Sequence, residues 1–582
     1  MAPSYKGFDQ ILTEYVGGRG RYQLKITLLM TPLYWLTFPL LFLIVFSAYV
    51  PPHRCKVSAC ENITEKVSFY NLYGSQISKY LLRKGIYFQV TSNIFESEWA
   101  EFAIPKKQSS TNFLAEKEEF DNCKAFKAIS SDCDPSAFSS SETETCQEFV
   151  FDNAYFSETL STKLDLVCDQ ANKKKLLGTI LIFGLLVGSL IGGRIGDQLG
   201  RKKASFLSYL VIIPSVIIAG YVNSYAAYAI LHFIYSSTLP ILWVNLTVYL
   251  TEIFQPNWRY AFAAPINLQV GNWILTLIAY LCSTWTMVHV WIGLVCVLVL
   301  PIYFFVPESP RWLAQNGKED EAIQVVLDMA KTNQREINEN DKKEIQAIIN
   351  EIATESKATE NQLSPLDIFK HGQMKKVVVL GLAWICVCVS YYALSLNSSK
   401  LSGDIYINFF LSRTVVLLII PSILAPSFFF GLRISFSALQ ILLGISCITL
   451  AFIPRDQTTA VLVFYLFSIL VASTCKKLLR LYIYNIHFNS FLLGFSYAYY
   501  YTAELYPTNL RSQAVGFQSM VARIFCLLAP FLGDLATIWQ PFPMVLVGIP
   551  IAISGFLILL LPNTHKKELP NTIENTIELQ DN

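Results

Sequence analysis

The chain has 582 residues, 53% of them hydrophobic and only 15% charged, with a formal net charge of +2. Apolar runs of about 20 residues recur along it, the length that crosses a bilayer as a helix and far more than a soluble core requires. That excludes a soluble globular domain, and no basic tail points to nucleic acid as a partner.

Residues 1–25 carry Lys6, Arg19, Arg21 and Lys25, which places the N-terminus in the cytoplasm by the positive-inside bias. The first apolar run, 26–50, is too long for the core of a signal peptide and is expected to stay as transmembrane segment one. A polar stretch over 51–175 follows, which this topology makes extracellular or luminal. Six of the thirteen cysteines lie in it, at Cys55, Cys60, Cys123, Cys133, Cys146 and Cys168. An oxidising compartment would join them in three disulfides, with fifteen pairings open. Asn62, in an Asn-Ile-Thr sequon of the same stretch, is a candidate glycosylation site, whereas the sequon at Asn245 falls within an apolar run and is expected to be silent. Lys173, Lys174 and Lys175 run against the bias, but long loops translocate largely regardless of charge.

Segments two to six are expected near 176–196, 204–222, 225–251, 262–283 and 287–306. Glycines at 184, 188, 192, 196 and 200 recur every fourth residue through segment two. On a helix they make one smooth stripe that admits a neighbouring backbone. Because the stripe runs into Arg194, Asp197, Arg201, Lys202 and Lys203, it is expected to slide between two halves of the molecule and to end in a polar latch. The polar stretch 307–376 holds an amphipathic pattern at 318–330 and a charged, solvated run at 335–355. Segments seven to twelve follow near 377–396, 405–430, 436–454, 459–503, 513–534 and 543–561, and residues 562–582 form a polar cytoplasmic tail. The expectation is an all-α membrane protein of twelve transmembrane helices in two six-helix bundles. A weak repeat supports equivalent halves: EIFQPNWR at 252–259 closes segment four and ELYPTNLR at 504–511 closes segment ten. Parallel repeats of this kind hold substrate between the halves near the membrane midplane.

Several motifs sharpen this. GRIGDQLGRKK at 193–203 resembles the major facilitator signature between helices two and three. Tyr155-Phe156 with LVCDQ at 166–170, PESPRWL at 307–313, YYALSLN at 391–397 with Gly403-Asp404, and TAELYPT at 502–508 resemble the organic cation/anion/carnitine transporter family, and its insect-type organic cation transporter-like members most. The resemblance implies a polyspecific carrier of small organic ions that works by alternating access, resident in the plasma membrane and without a cofactor. The sequence shows no metal-ligand cluster, nucleophile elbow or phosphate loop, so an enzyme is not expected.

For the latch, Asp197 is expected to dock on the start of helix eleven after Arg511, where the helix dipole favours a carboxylate. The family pattern extends the gating set to Arg201, Glu308 and Arg311, and the repeat adds Glu252, Glu504 and Arg511. Arg523 sits well inside segment eleven, where a charge is costly and usually faces a cavity. Dedicated cation carriers of the family are acidic at the matching position, and anion or zwitterion carriers have arginine, so a carboxylate-bearing, carnitine-like substrate is expected. Tyr391 and Tyr392 are expected to add an aromatic wall to that site. The chain departs from the family at His232, where arginine is usual, at Gly431-Leu432-Arg433 and Pro562-Asn563-Thr564, and at 480–488, which has no counterpart. The second half is therefore short of cytoplasmic charge. Two alternatives stay open: an organic cation carrier, and a receptor or scaffold on the same fold.

Overall fold

In lipid a backbone must satisfy its own hydrogen bonds, which helices do within one segment. A computed structural model of the chain is accordingly helical over most of what it describes: residues 7–17, 20–58, 60, 99–107, 119–130, 133–254, 266–359, 369, 374–397, 404–452, 494, 497–499, 501–502, 504–506, 508–539 and 541–564. The first span is built of α1 (Arg21–Trp35) and α2 (Thr37–Ser47). The first half continues with α3 (Ala171–Leu199), α4 (Arg201–Ala219), α5 (Tyr225–Ile253), α6 (Ile266–Leu281) and α7 (Trp285–Val297). Three polar helices follow, α8 (Pro310–Gln315), α9 (Glu319–Thr332) and α10 (Glu339–Thr359). The second half holds α11 (Met374–Asn397), α12 (Ile405–Phe452), α13 (Thr508–Cys526) and α14 (Phe542–Ile558). Gly431, at φ 80°, turns α12 into two limbs and so supplies segments eight and nine. Among the described residues eight helices are long and apolar enough to cross a membrane, and Val270–Leu281 and Phe542–Ile558 are shorter apolar ones. Most of segment ten, the stretch 480–488 and Asn62 lie outside the described residues.

Prolines and glycines decide where helices approach. Pro39 has no N–H to give Trp35, which frees that carbonyl where α1 passes into α2. Gly271 of α6 fits against it, and a Cβ there would lie 1.6 Å from the Trp35 oxygen. The stripe in α3 uses the same device against α5. A Cβ on Gly188 would lie 1.9 Å from the Ser237 carbonyl oxygen and 3.0 Å from Cδ of Pro240; Gly184 faces Ser236, Gly192 faces Ile241, and Gly196 faces Asn245. The buried Asn245 amide donates to the carbonyls of Gly192 (3.1 Å) and Ile241 (2.7 Å), so that sequon is spent on helix packing.

This corrects the expectation of a sliding stripe. The four glycines lock α3 to α5 inside the first half, with backbone against backbone, and a contact that close has no clearance to slide.

The chain folds as two units, Ser47–Lys174 with Cys282–Met287, and the remainder. The smaller unit is organised by disulfides. Its strands are β1 (His53–Cys55), β2 (Lys106–Lys107), β3 (Glu119–Phe120), β4 (Lys124–Ala128), β5 (Phe138–Thr145) and β6 (Phe149–Phe151), paired antiparallel as β1–β6, β2–β3 and β4–β5. Of the fifteen pairings the structure selects Cys55–Cys146, Cys60–Cys133 and Cys123–Cys168. Val57, Trp99, Ala103, Ile104 and Phe138 make a small apolar core around Cys60. So small a core needs covalent staples.

Candidate functional site

Two clusters stand out in the larger unit. The first gathers at the end of the helices marked by Asp197, and it joins three motifs that lie far apart in the chain. Helix α4 opens on Gly200, which has no side chain to cap it and takes φ 99°. Glu308 supplies the cap instead: its carboxylate accepts from the Lys202 N–H (2.9 Å) and the Ser309 N–H (3.0 Å). An acidic group at a helix N-terminus is favoured by the unpaired amides and the dipole. A Cβ at Gly200 would stand 2.3 Å from the same carboxylate, so glycine is required twice over. Ser309 in turn caps α8 by accepting from the Trp312 N–H, and the Trp312 indole donates to the Asp197 carbonyl at 2.8 Å.

Arg201 bonds both acids of the cluster. Its Nη1 lies 2.5 Å from Asp197 Oδ1 and its Nη2 3.3 Å from Glu252 Oε1. Arg201 and Glu252 are buried, while the Asp197 side chain is 65% exposed. Arg311, expected in this set, reaches Asp9 of the N-terminal segment at 3.4 Å. That segment is held by a residue that sequence reasoning passed over. The Asn333 amide donates to the carbonyls of Val16 and Gly17 and to Gln23 Oε1, and its oxygen accepts from the Tyr22 N–H at 2.8 Å. An asparagine between two polar helices carries no signal in sequence.

In the second half the described residues give part of an equivalent set. Glu504 accepts from the Thr564 hydroxyl at 2.6 Å, and Arg433 donates to the Leu561 carbonyl at 3.0 Å. The start of α13 is helical from Thr508, and the bonds described for Asp197, Arg201, Glu252 and Glu308 all stay within the first half. The Arg511 side chain, the expected partner of Asp197, lies outside the described residues.

The second cluster lies where the halves meet, toward the opposite, Ser47 end. Phe46 stacks on Tyr406 with ring centroids 5.9 Å apart, Tyr280 meets the same ring edge-on at 5.5 Å, and the Trp273 indole donates to Thr414 Oγ1 at 3.0 Å. Thr179 of α3 donates to the Leu527 carbonyl, just past α13. Phe42 meets Tyr391 edge-on at 6.4 Å, and Tyr391 meets Tyr392 at 5.3 Å.

Arg523 borders this aromatic run. Its titratable neighbours are Tyr499, Tyr392, Cys388 and Cys526. It is 3% exposed and donates through Nη1 to Ser519 Oγ at 2.5 Å. Its Nε has no hydrogen-bond partner, and no carboxylate pairs with it among the described residues. Of the residues expected at the site, Tyr391 packs edge-on against Tyr392, and Tyr392 is near enough to Arg523 to feel its charge. His232, the departure in segment four, is buried and bonded to the Tyr235 hydroxyl, with Tyr228 stacked on it. In the smaller unit His53, Cys123 and Cys168 have ligand-type atoms within 4.8 Å of one another, but the two sulfurs are spent on each other.

Comparisons with known proteins agree with this geometry. A family model described as "Sugar (and other) transporter" matches residues 137–574. The chain is 28% identical to an "Organic cation transporter protein" of Drosophila melanogaster, over 75% of this chain and 77% of the relative. It is 26% identical to human "Solute carrier family 22 member 10", over 98% and 97% of the two chains. Among solved structures it superimposes on the proton:xylose symporter XylE bound to 6-bromo-6-deoxy-D-glucose, with a TM-score of 0.52 and 15% identity, covering 72% of this chain and 92% of that one. At that identity the likeness establishes the fold alone, that of the major facilitator type.

Proposed function

Since the chain belongs to the sugar (and other) transporter family of the major facilitator superfamily, and within it to the organic cation/anion/carnitine carriers, we propose that it moves small organic anions or carnitine-like zwitterions across the plasma membrane by alternating access. It is a multi-pass membrane transporter of organic ions and not an enzyme. The observation that carries the finer reading is Arg523. A fixed positive charge buried in the bundle is costly unless something answers it, and among the described residues a single serine hydroxyl does so. A guanidinium forks onto a carboxylate with two hydrogen bonds, and Tyr391 and Tyr392 offer ring faces to the rest of a flat or quaternary ligand.

In this reading the Ser47 end is extracellular and the Asp197 end cytoplasmic. The aromatic contacts join the halves on the outside, and the Asp197 carboxylate is exposed on the inside. Rocking of the halves would bring Asp197 and the capped end of α4 toward α13 and Arg511, with Glu504 serving the weaker second-half copy. Asn62, on the outer side, would carry a glycan.

The test is uptake in oocytes of labelled organic anions, zwitterions and cations by the wild type and by Arg523→Gln and Arg523→Asp at equal surface expression. Loss of carboxylate uptake is expected for both variants. Unchanged carboxylate uptake in Arg523→Asp sinks the reading; uptake of cations alone makes the chain a cation carrier, and flux of nothing makes it a receptor or scaffold.

A further inference from the structure

The smaller unit holds three disulfides, and one of them differs from the others in access, backbone and neighbours. Cys55 is 1% exposed, and Cys60, within the small apolar core, is fully buried. Each is bridged to a half-buried partner, Cys146 or Cys133. In Cys123–Cys168 both members are half-buried. Thiol–disulfide exchange requires a nucleophile to reach one sulfur and the other to leave as a thiolate. Attack at Cys146 or Cys133 expels a thiolate into a buried site, where its pKa rises and it leaves slowly. At Cys123–Cys168 neither direction meets that obstacle.

Two further features belong to the same bridge. Cys168 takes φ 49° and Asp165 φ 46°, two of the three non-glycine residues with positive φ among the described residues. A side chain is disfavoured there, and strained backbone of this kind clusters at functional positions. The other feature is His53, one of whose ring nitrogens lies within 4.8 Å of both sulfurs. The β1–β6 pairing sets His53 opposite Phe151, and the rings of Phe149 and Phe151 flank the imidazole with centroids 5.9 and 5.7 Å away. Nδ1 donates to the Pro51 carbonyl at 3.1 Å, so the lone pair of the neutral ring is on Nε2. Burial holds the imidazole below its usual pKa, which keeps it neutral and able to accept a proton at neutral pH.

We propose that Cys123–Cys168 is an exchange site for small thiols of the glutathione class, with His53 as the proton carrier. The thiol gives its proton to Nε2 and attacks one sulfur. A mixed disulfide forms, the Cys123–Cys168 bond breaks, and its electron pair leaves on the other sulfur. That thiolate takes the proton back from the imidazolium. A second thiol displaces the first as its symmetric disulfide and leaves Cys123 and Cys168 reduced. Exchange frees the turn at Cys168, three residues ahead of α3.

The test treats the full-length protein in detergent with reduced glutathione and blocks new thiols with N-ethylmaleimide at timed intervals. Peptide mass spectrometry then reads each cysteine. Glutathione addition or alkylation at Cys123 and Cys168 is expected to run at least about tenfold ahead of the other four bridged cysteines. His53→Gln is expected to slow it at least about tenfold, short of the full acid–base effect because a small thiol is already partly ionised. The same variant should react at the wild-type rate with tris(2-carboxyethyl)phosphine, which brings no thiol proton. Comparison of the three bridges in the wild type needs no variant, and equal rates there overturn the proposal. So does an unchanged glutathione rate in His53→Gln. Equal slowing toward glutathione and the phosphine overturns it too, because His53 would then be a packing residue. No outcome depends on which ion the chain carries.

Discussion

Replacing Gly188 by alanine tests whether the glycine stripe is a fixed joint or a sliding surface. The added carbon would sit 1.9 Å from the Ser237 carbonyl oxygen and 3.0 Å from the Pro240 ring. Carbon–oxygen contacts between packed helices settle near 3.3–3.6 Å, so α3 and α5 must part by more than an ångström. Overpacking of that kind costs about 1–3 kcal/mol, against a gain of up to about 1 kcal/mol from better helix propensity. The net expectation is a loss of about 1–2 kcal/mol. Gly193→Ala supplies the control: it lies in the same helix, and nothing stands within 4 Å of its would-be Cβ. It should be neutral or slightly stabilising. Thermal unfolding of the detergent-solubilised protein reads the difference, with Gly188→Ala melting about 1–2 °C lower. Equal melting temperatures for the two variants would refute the packing argument. Slowed flux in Gly188→Ala at an unchanged melting temperature would restore a sliding role.

Three further expectations follow from the Asp197 end. Arg201→Gln strands the buried Glu252 carboxylate and should cost about 3–5 kcal/mol, much of it recovered in the double variant Arg201→Gln, Glu252→Gln; melting curves of the three proteins check this. Gly200→Ala forces a β-carbon into a left-handed backbone and against Glu308, and should destabilise by about 1–2 kcal/mol even if Glu308 swings away; Glu308→Ala in the same background would show no further strain if the clash dominates. Asn333→Ala removes four hydrogen bonds that tie the N-terminal segment to α9, at about 1 kcal/mol apiece in net terms. It should speed hydrogen exchange at the Tyr22 amide and limited proteolysis before Arg21, and unchanged protection would show that the tie is not needed.

Much of the architecture was legible in the chain because it depends on one-dimensional properties. The length of apolar runs, the crowding of six cysteines in one polar stretch and the motifs at 193–203, 307–313 and 502–508 require no knowledge of neighbours. Arg523 was legible for the same reason, since a charge within a long apolar run is conspicuous wherever the helix points. Asn333 was not, because asparagine in a polar loop looks like ordinary surface. Only the fold shows that it gathers four backbone and side-chain partners.

The glycine stripe marks the boundary between the two kinds of knowledge. Its spacing determined that some backbone would approach α3 closely, because removal of side chains on one face leaves a groove whatever fills it. Which backbone fills it was settled by α5, where Pro240 and the carbonyl of Ser237 present a matching ridge. Likewise the cysteines determined that three bridges would form, while proximity in the folded loop chose one pairing of fifteen. The charges of GRIGDQLGRKK and PESPRWL marked a polar end. That one motif caps the helix opened by the other is a property of packing, because a cap is defined by which amides lack partners in space.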